Sequence, residues 1–234
     1  MSAADLDHLE HLVALQEAFS GTARGADLSV RVPWCGRWRV RDLVVHLARI
    51  HHWAAAQAGR SREAPLGRGP FEDPVGLYDR CAEELGATLL ALGPDAIGST
   101  LVGPGPASFW RRRQRNETLV HLWDLRTALG QEVDAPAAAW LDVVDEVARV
   151  MHPRQVALGR MAATALAVDL LPEDADGGPV RLGRQEGAAD VRVGGSATTL
   201  ALLVWGRAGL GTPGVTVDGD RAGLEDLLRQ RITP

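Results

Sequence analysis

Hydrophobic residues recur every three or four positions in four stretches of the N-terminal half of the chain. This spacing predicts amphipathic helices over residues 5–18, 38–57, 74–92 and 110–129. Segments rich in Gly, Arg and Pro separate them, most clearly at residues 59–74. Four helices with apolar stripes are typical of a four-helix bundle, a fold that often holds metal ions between side chains of different helices.

The pattern changes after Asp134. A further helix is predicted over residues 137–151, and then short apolar segments bounded by Gly, Pro or Asp indicate strands. The elements predicted after that helix are strands at 165–171, 180–184 and 189–193, a helix at 197–207, a strand within 214–220 and a helix at 224–230. We therefore predict an α+β protein of two domains, a four-helix bundle over residues 1–133 and a small α+β domain over residues 137–234.

The composition is that of an ordinary folded protein, since 46% of the 234 residues are hydrophobic and 24% are charged. The longest apolar run, at residues 199–205, is far shorter than the roughly 20 residues of a membrane span. The chain starts with an acidic segment instead of a basic leader, so we expect a cytoplasmic protein that contacts no membrane. The net charge of −5 argues against a nucleic-acid partner. We expect a monomer or a weak homodimer.

The chain has two cysteines, Cys35 and Cys81. Two are too few for a disulfide framework or for a cysteine-based zinc site, and nothing near them resembles a redox pair. We therefore expect both to be buried or incidental thiols.

All 25 basic residues are arginine, and four of them cluster at Arg111, Arg112, Arg113 and Arg115. We expect at least two of the four to belong to a solvated helix start. A grip on an anionic ligand is the alternative, and Arg113 is our candidate for contact with a cofactor.

Glu117 and His121 carry the clearest chemical signal in the sequence. They are four residues apart in a predicted helix, so they lie about 40° apart in rotation and about 6 Å apart along the axis, close enough to share a metal ion. His46, in a second helix whose apolar residues face the same interior, is a third ligand of suitable type. Two histidines and a carboxylate leave one position of a tetrahedral zinc ion open, which is typical of catalytic sites.

Other side chains near these three are candidates for supporting roles. Asp124, one turn after the second histidine, either orients that histidine and takes part in catalysis or is a helix-surface carboxylate. His51 and His52 are expected to be lid or pocket residues. Most tryptophans are expected in the core, but Trp53 and Trp123 are candidates for contact with the cofactor at the edge of the pocket.

Three motifs give the chain a resemblance to a known family. They are Trp38 with residues 41–47, then residues 117–124, and then residues 200–207 followed by 215–220. With these motifs in this order along nearly the whole chain, the sequence resembles the mycothiol-dependent maleylpyruvate isomerase family. The resemblance implies a DinB-like four-helix bundle followed by a small sterol-carrier-like domain.

The resemblance also implies the chemistry of the site. It assigns zinc, or another divalent metal, to His46, Glu117 and His121, and it implies mycothiol as the thiol that takes the open metal position as a thiolate. In the family's reaction the thiolate adds to a conjugated cis double bond of a small electrophilic substrate. Rotation about the resulting single bond and loss of the thiol then give the trans isomer.

An arginine of the C-terminal domain binds or activates the substrate in the family that the chain resembles. Arg207 is our candidate, with Arg192 and Arg221 as competitors, and the alternative for Arg207 is a cap at the end of an apolar helix. We expect the site between the bundle and the C-terminal domain, because small-molecule sites often form in such clefts.

The sequence does not identify the electrophile that reacts with the thiol. Isomerisation of a maleylpyruvate-like compound and S-transfer to an electrophile begin with the same activated thiol, and the metal motif does not distinguish them. A non-catalytic small-molecule-binding protein, whose metal stiffens the bundle, is an alternative of another class. A metal-dependent hydrolase with water in place of the thiol is a further alternative, for which no separate general base is evident.

Overall fold

The computed structural model describes residues 3–176, 178–230 and 232–233, and for residues 3–7 it describes the backbone alone. The chain divides into two compact units, Met1–Val133 and Asp134–Pro234. The first is mainly helical and the second combines helices with a small sheet, which confirms the predicted α+β class.

The first unit contains the four predicted helices. They are α1 (Ala3–Arg24), α2 (Val40–Ala58), α3 (Pro74–Leu92) and α4 (Ser108–Ala128). The α3 helix begins after Asp73, whose carboxylate accepts a hydrogen bond of 2.8 Å from the Gly76 N–H. The α1 helix continues to Arg24 instead of residue 18, because Phe19 and Ala23 extend its buried stripe.

Two buried clusters show the directions in which the four helices run. One joins the ends of α1 and α4 to the beginnings of α2 and α3, through Phe19, Leu125, Leu43 and Leu77. The other joins the opposite ends, through Leu12, Trp110, Ala54 and Leu89. Helices α1 and α4 therefore run in one direction, and α2 and α3 run in the other. Helices α1 and α2 each pack against both α3 and α4. Helices α2 and α4 are therefore neighbours, and they run in opposite directions.

The shared direction of α2 and α3 requires a connection as long as the bundle, and residues 59–73 provide it. Arg49 donates a hydrogen bond of 2.9 Å to the Gly67 carbonyl, and Arg41 donates one of 3.4 Å to the Phe71 carbonyl. The connection therefore lies back along α2.

A small hairpin precedes α4, and the hydrophobic pattern does not predict it. Its strands, β1 (Ile97–Thr100) and β2 (Gly103–Pro106), are antiparallel, and each has only four residues, without an alternating pattern. Trp110 anchors the hairpin by donating a hydrogen bond of 2.7 Å from its indole to the Ser99 carbonyl. Gly98 lies directly against the Ala58 carbonyl at the end of α2.

The second unit contains every element predicted for that half, with ends shifted by a few residues. Its helices are α5 (Ala137–Glu146), α6 (His152–Ala157), α7 (Ala197–Val204) and α8 (Arg221–Leu228). Its strands are β3 (Ala167–Pro172), β4 (Val180–Gly183), β5 (Val191–Gly195) and β6 (Thr216–Gly219), in the order β4-β3-β5-β6. Strands β3 and β5 are parallel and the other pairs are antiparallel. Helix α7 packs against β3, β5 and α5.

The helix predicted over residues 137–151 contains an irregular turn. After α5, residues Val147–Met151 form a π-helical turn, and the His152 N–H donates to the Val147 carbonyl five residues earlier. Pro153 follows in the sequence and has no N–H to continue an α-helical ladder. The change in winding therefore coincides with the residue that interrupts the ladder. No helix in the described part of the chain is both long and apolar enough to cross a membrane.

Replacing Gly98 tests the contact between the hairpin and α2. A Cβ atom at this position would lie 2.5 Å from the Ala58 carbonyl oxygen, so we expect Gly98→Ala to lower the free energy of unfolding by about 1–3 kcal/mol. Gly21→Ala is the matched control, because Gly21 is exposed on α1 with nothing within 4 Å of an added Cβ. This control should be neutral or stabilising by up to about 1 kcal/mol. Denaturant melts measure both, and equal stabilities of the two variants would contradict the predicted clash.

Candidate metal centre

Three side chains of metal-ligating type meet between α2 and α4. His46 Nε2 lies 3.6 Å from Glu117 Oε1, and His121 Nε2 lies 3.2 Å from the same oxygen. One ligand atom from each residue lies within 4.8 Å of the other two. The antiparallel packing of the helices produces this meeting, because it brings the first half of α2 level with the second half of α4.

The three side chains differ in their access to solvent. Glu117 and His121 are buried, whereas 30% of the His46 side chain is exposed. The indole of Trp38 packs beside the His46 imidazole, with ring centroids 4.8 Å apart. An external ligand can therefore approach the cluster from the side of His46.

Arg113 holds the second oxygen of Glu117. It lies one turn earlier on α4 and forms a buried ion pair with Oε2, while Oε1 faces both histidines. Burial by itself raises the pKa of Glu117, but Arg113 and hydrogen bonds with His121 and His46 outweigh burial and hold this pKa well below its usual value. The carboxylate is therefore ionised and fixed in orientation, which metal binding requires.

Asp124 fixes the orientation of His121 in the way that Arg113 fixes that of Glu117. Its Oδ2 accepts a hydrogen bond of 2.9 Å from His121 Nδ1 and another of 3.5 Å from the Cys35 thiol. Burial lowers the pKa of His121, but Asp124 and Glu117 outweigh it and raise this pKa to about 9. With its proton on Nδ1, a neutral His121 presents Nε2 to a metal. Asp124 is fully buried, so the alternative of a helix-surface carboxylate is wrong.

The donor set of this cluster suits zinc. Two imidazole nitrogens and one carboxylate oxygen are protein ligands of catalytic zinc sites, in which the fourth position is left for water or substrate. Calcium and magnesium prefer oxygen ligands throughout. The hydrogen-bond acceptor on the far nitrogen of His121 and the cation on the far oxygen of Glu117 are outer partners that such sites use. The residues therefore fit a zinc ion, and its binding stays a prediction.

The two tryptophans predicted to contact the cofactor occupy different places. Trp123 is half-buried and pairs with Trp34, with ring centroids 6.4 Å apart. Trp53 is not brought to the metal cluster. It packs edge-on against Trp110 beside the other core cluster, with centroids 5.1 Å apart, and it lies seven positions after His46, about 10 Å along the helix.

Arg207 lies in the second unit, just after α7. Its guanidinium lies over the Trp205 ring, 5.5 Å from the centroid, and donates a hydrogen bond of 2.7 Å to the Trp205 carbonyl. Of its two competitors, Arg192 is 3.8 Å from the Asp218 carboxylate and Arg221 is 3.2 Å from the Glu225 carboxylate. The role of Arg207 toward a substrate stays a prediction.

The expectation that at least two arginines of the cluster form a solvated helix start is wrong. Arg111, Arg113 and Arg115 are buried, and Arg112 is half-buried. Each buried guanidinium has an acceptor that offsets part of the cost of burial: Arg111 donates to the Leu89 carbonyl of α3, Arg113 to Glu117 and Arg115 to Asn116. Helix α4 is thus buried along most of its length although its sequence is polar.

His51 and His52, which were expected to be lid or pocket residues, are buried inside the bundle. His51 Nδ1 is paired with Gln114 Oε1 at 2.8 Å, and burial lowers the pKa of His51 to about 4, so this histidine is neutral. His52 is paired with Glu84 of α3. Helix α2 packs against both α3 and α4, so these two histidines, which follow His46 on α2, each contact a neighbouring helix instead of solvent.

Cys35 and Trp38 contact the centre, although Cys35 was expected to be a buried or incidental thiol and Trp38 to be a core residue. Both lie in the segment between α1 and α2, which the Val32 N–H closes through a hydrogen bond of 2.9 Å to the Trp38 carbonyl. Helical spacing carries no information about such a segment. The nearest signal is the presence of Trp38 beside the His46 motif.

Comparison with known proteins identifies relatives of this chain. The family model described as the mycothiol maleylpyruvate isomerase N-terminal domain matches residues 9–126, half of the chain. The crystal structure of the mycothiol-dependent maleylpyruvate isomerase aligns with a TM-score of 0.66 and 17% identity, over 92% of each chain. A histidine-to-alanine mutant of that isomerase aligns with a TM-score of 0.66 and 18% identity, also over 92% of each chain. At this identity the structures show a shared fold. No curated protein sequence matches significantly.

The raised pKa of His121 gives zinc affinity a defined pH dependence. The pKa rises from 6.5 to about 9, so the metal-free imidazole is protonated across most of that interval, whereas a ligand must be neutral. Zinc must displace this proton, and we expect affinity to increase about tenfold per pH unit from pH 6.5 to 9. Competition titrations with a chelator at several pH values measure this zinc affinity.

Asp124→Asn is the control for this pH dependence, because it removes the largest cause that raises the His121 pKa. In this variant the increase of zinc affinity with pH should level off at a lower pH than in the wild type. A wild-type zinc affinity that is independent of pH in this interval would contradict the assignment of His121 as a ligand.

Proposed function

The chain belongs to the mycothiol maleylpyruvate isomerase family, and on this premise we propose that it is a zinc-dependent enzyme that uses mycothiol to isomerise a small, maleylpyruvate-like substrate. The observation that carries the proposal is the cluster of His46, Glu117 and His121, whose ligand atoms lie within 4.8 Å of one another. A family description gives the class of reaction, and this cluster supplies a physical basis for it.

Three protein ligands would hold the metal and leave one position for a thiol. A zinc ion held by these ligands would keep the thiol of mycothiol deprotonated at that position. The resulting thiolate would be a nucleophile for reversible addition to a conjugated cis double bond. The exposed side of His46 gives a small molecule access to that position.

The surrounding residues hold the ligands in one protonation state and one orientation. Arg113 balances the charge of Glu117 and holds Oε2, while Oε1 faces both histidines and would be the oxygen available to a metal. Asp124 holds the proton of His121 on Nδ1. Trp38 restricts the rotation of His46 by packing beside its ring. These contacts pre-organise the centre, and we propose this positioning role for Asp124 and Arg113.

Isomerisation is preferred over S-transfer because the family is described by its isomerase. The two reactions differ in the fate of the thiol, which isomerisation returns and S-transfer consumes. The hydrolase alternative lacks support, because both carboxylates at the cluster are engaged, Glu117 by Arg113 and Asp124 by His121. Neither is a spare general base for a water molecule.

Arg207 and Trp123 stay candidates for contact with substrate and cofactor. Arg207 is only partly buried, and its guanidinium is supported by the Trp205 ring. Trp123 is half-buried two residues after a proposed ligand. Trp53 is the weakest candidate of the original set, because it is partly buried against Trp110, about two helical turns after His46.

Metal analysis tests the premise of the proposal. We expect about one zinc per chain at this cluster, and His46→Ala and Glu117→Gln should each weaken its affinity by more than about 100-fold, since loss of an outer partner alone typically costs 10–100-fold. His11→Ala, at an exposed histidine of α1, is the matched control and should leave zinc affinity unchanged. Each cluster variant should bind one zinc ion fewer per chain than the wild type, and an undiminished zinc content in both variants would refute the ligand assignment.

Turnover with mycothiol separates isomerisation from the alternatives. Proton NMR of maleylpyruvate mixed with the zinc protein and mycothiol should show conversion to the trans isomer, with the thiol recovered, and conversion should fall to the uncatalysed rate without mycothiol. Accumulation of a thiol conjugate would indicate S-transfer instead. Cleavage products without thiol would indicate a hydrolase, and saturable binding without any turnover would indicate a binding protein.

A further inference from the structure

A second group of metal-ligating side chains lies elsewhere in the bundle, between α2 and α3. It consists of His52, Cys81 and Glu84, and one ligand atom from each lies within 4.8 Å of the other two. His52 lies six residues after His46, about 240° further round the helix and about 9 Å along it. It therefore faces α3, whereas His46 faces α4. We propose that these three residues form a second metal site of the zinc class, whose ion would join α2 to α3.

The arrangement repeats that of the first cluster. One histidine comes from α2, and two ligands one turn apart come from the neighbouring helix, here Cys81 and Glu84 on α3. Residues three apart on a helix lie on one face, so both side chains reach the same point. His52 Nδ1 is already 2.5 Å from Glu84 Oε2.

The far nitrogen of His52 supplies an independent indication. Its Nε2 lies 2.7 Å from the Ala64 carbonyl, an acceptor that only an N–H can meet. Nε2–H therefore donates to the Ala64 carbonyl, and Nδ1 shares a second proton with the Glu84 carboxylate, so a metal would bind at Nδ1 in place of that second proton. Metal-ligating histidines usually donate their other N–H to a backbone carbonyl or a carboxylate in this way.

The donor set limits the metal to one that accepts sulfur. Thiolate, imidazole and carboxylate together suit zinc or cobalt and not magnesium or calcium. Cys81 is buried, and burial raises the pKa of its thiol to about 11, so only a metal with high affinity for thiolate can displace that proton. The Glu84 side chain is 45% exposed, which gives an ion a path from solvent.

The role of such an ion follows from the segments that it would join. Ala64 lies in the connection of residues 59–73, which returns along α2. A metal on His52, Cys81 and Glu84 would tie α2, α3 and that connection together. This proposal does not depend on the proposed function, because it shares no residue with the first cluster.

Cobalt binding to the metal-free, full-length protein without added thiol tests the site. The first cluster has no cysteine ligand, so a near-ultraviolet thiolate-to-cobalt absorption reports the second site alone. We expect this absorption to saturate at one equivalent bound to the second site, and the total to reach two cobalt ions per chain. Cys81→Ser and His52→Gln should each abolish the absorption and remove one ion.

Two variants act as matched controls. Cys35→Ser changes the other cysteine and should retain the absorption, and His46→Ala should retain it while losing the ion of the first cluster. Absence of thiolate-to-cobalt absorption in the wild-type protein would overturn the proposal, and His52 and Glu84 would then form an ion pair only. Absorption that survives Cys81→Ser, or that is lost in Cys35→Ser, would overturn it as well.

Discussion

The buried carboxylate of Glu117 is the constraint on which the candidate centre depends. A charge inside a helical bundle is tolerated only when other charges and hydrogen bonds compensate for the water it has lost. Glu117 receives this compensation on both oxygens, from Arg113 on one side and from two histidines on the other. Removing one partner of such a buried pair typically costs about 3–5 kcal/mol. The contacts of the centre therefore contribute to the stability of the bundle as well as to its proposed chemistry.

This constraint extends outward through α4. Asp124 is buried because it holds His121, and Cys35 donates to Asp124 from the segment before α2. Arg111 and Arg115 are buried on the same helix, each with its own acceptor. A helix of polar sequence thus occupies the interior, because most of its buried side chains pair with one another or with neighbouring backbone, although Arg111 Nε and Nη1 have no hydrogen-bond partner among the described residues.

The direction of the helices determines which side chains meet. Because α2 packs against both α3 and α4, one helix presents His46 to α4 and His52, on another face, to α3. The same arrangement requires the long connection of residues 59–73, whose backbone then supplies the carbonyl that holds His52. Topology and candidate chemistry are therefore linked through α2.

The sequence by itself determined the local features, because helical spacing and ligand spacing are short-range. It predicted the four bundle helices, the elements of the second unit, and the pair of Glu117 and His121 on one helix face. Only the tertiary structure decided the burial of the arginines, the hairpin before α4, and the contacts of Cys35, Trp38 and His52. Each of these depends on residues far apart in the chain, or on segments without periodicity. Packing brings such residues together, and no spacing rule records which distant partner will satisfy a buried charge.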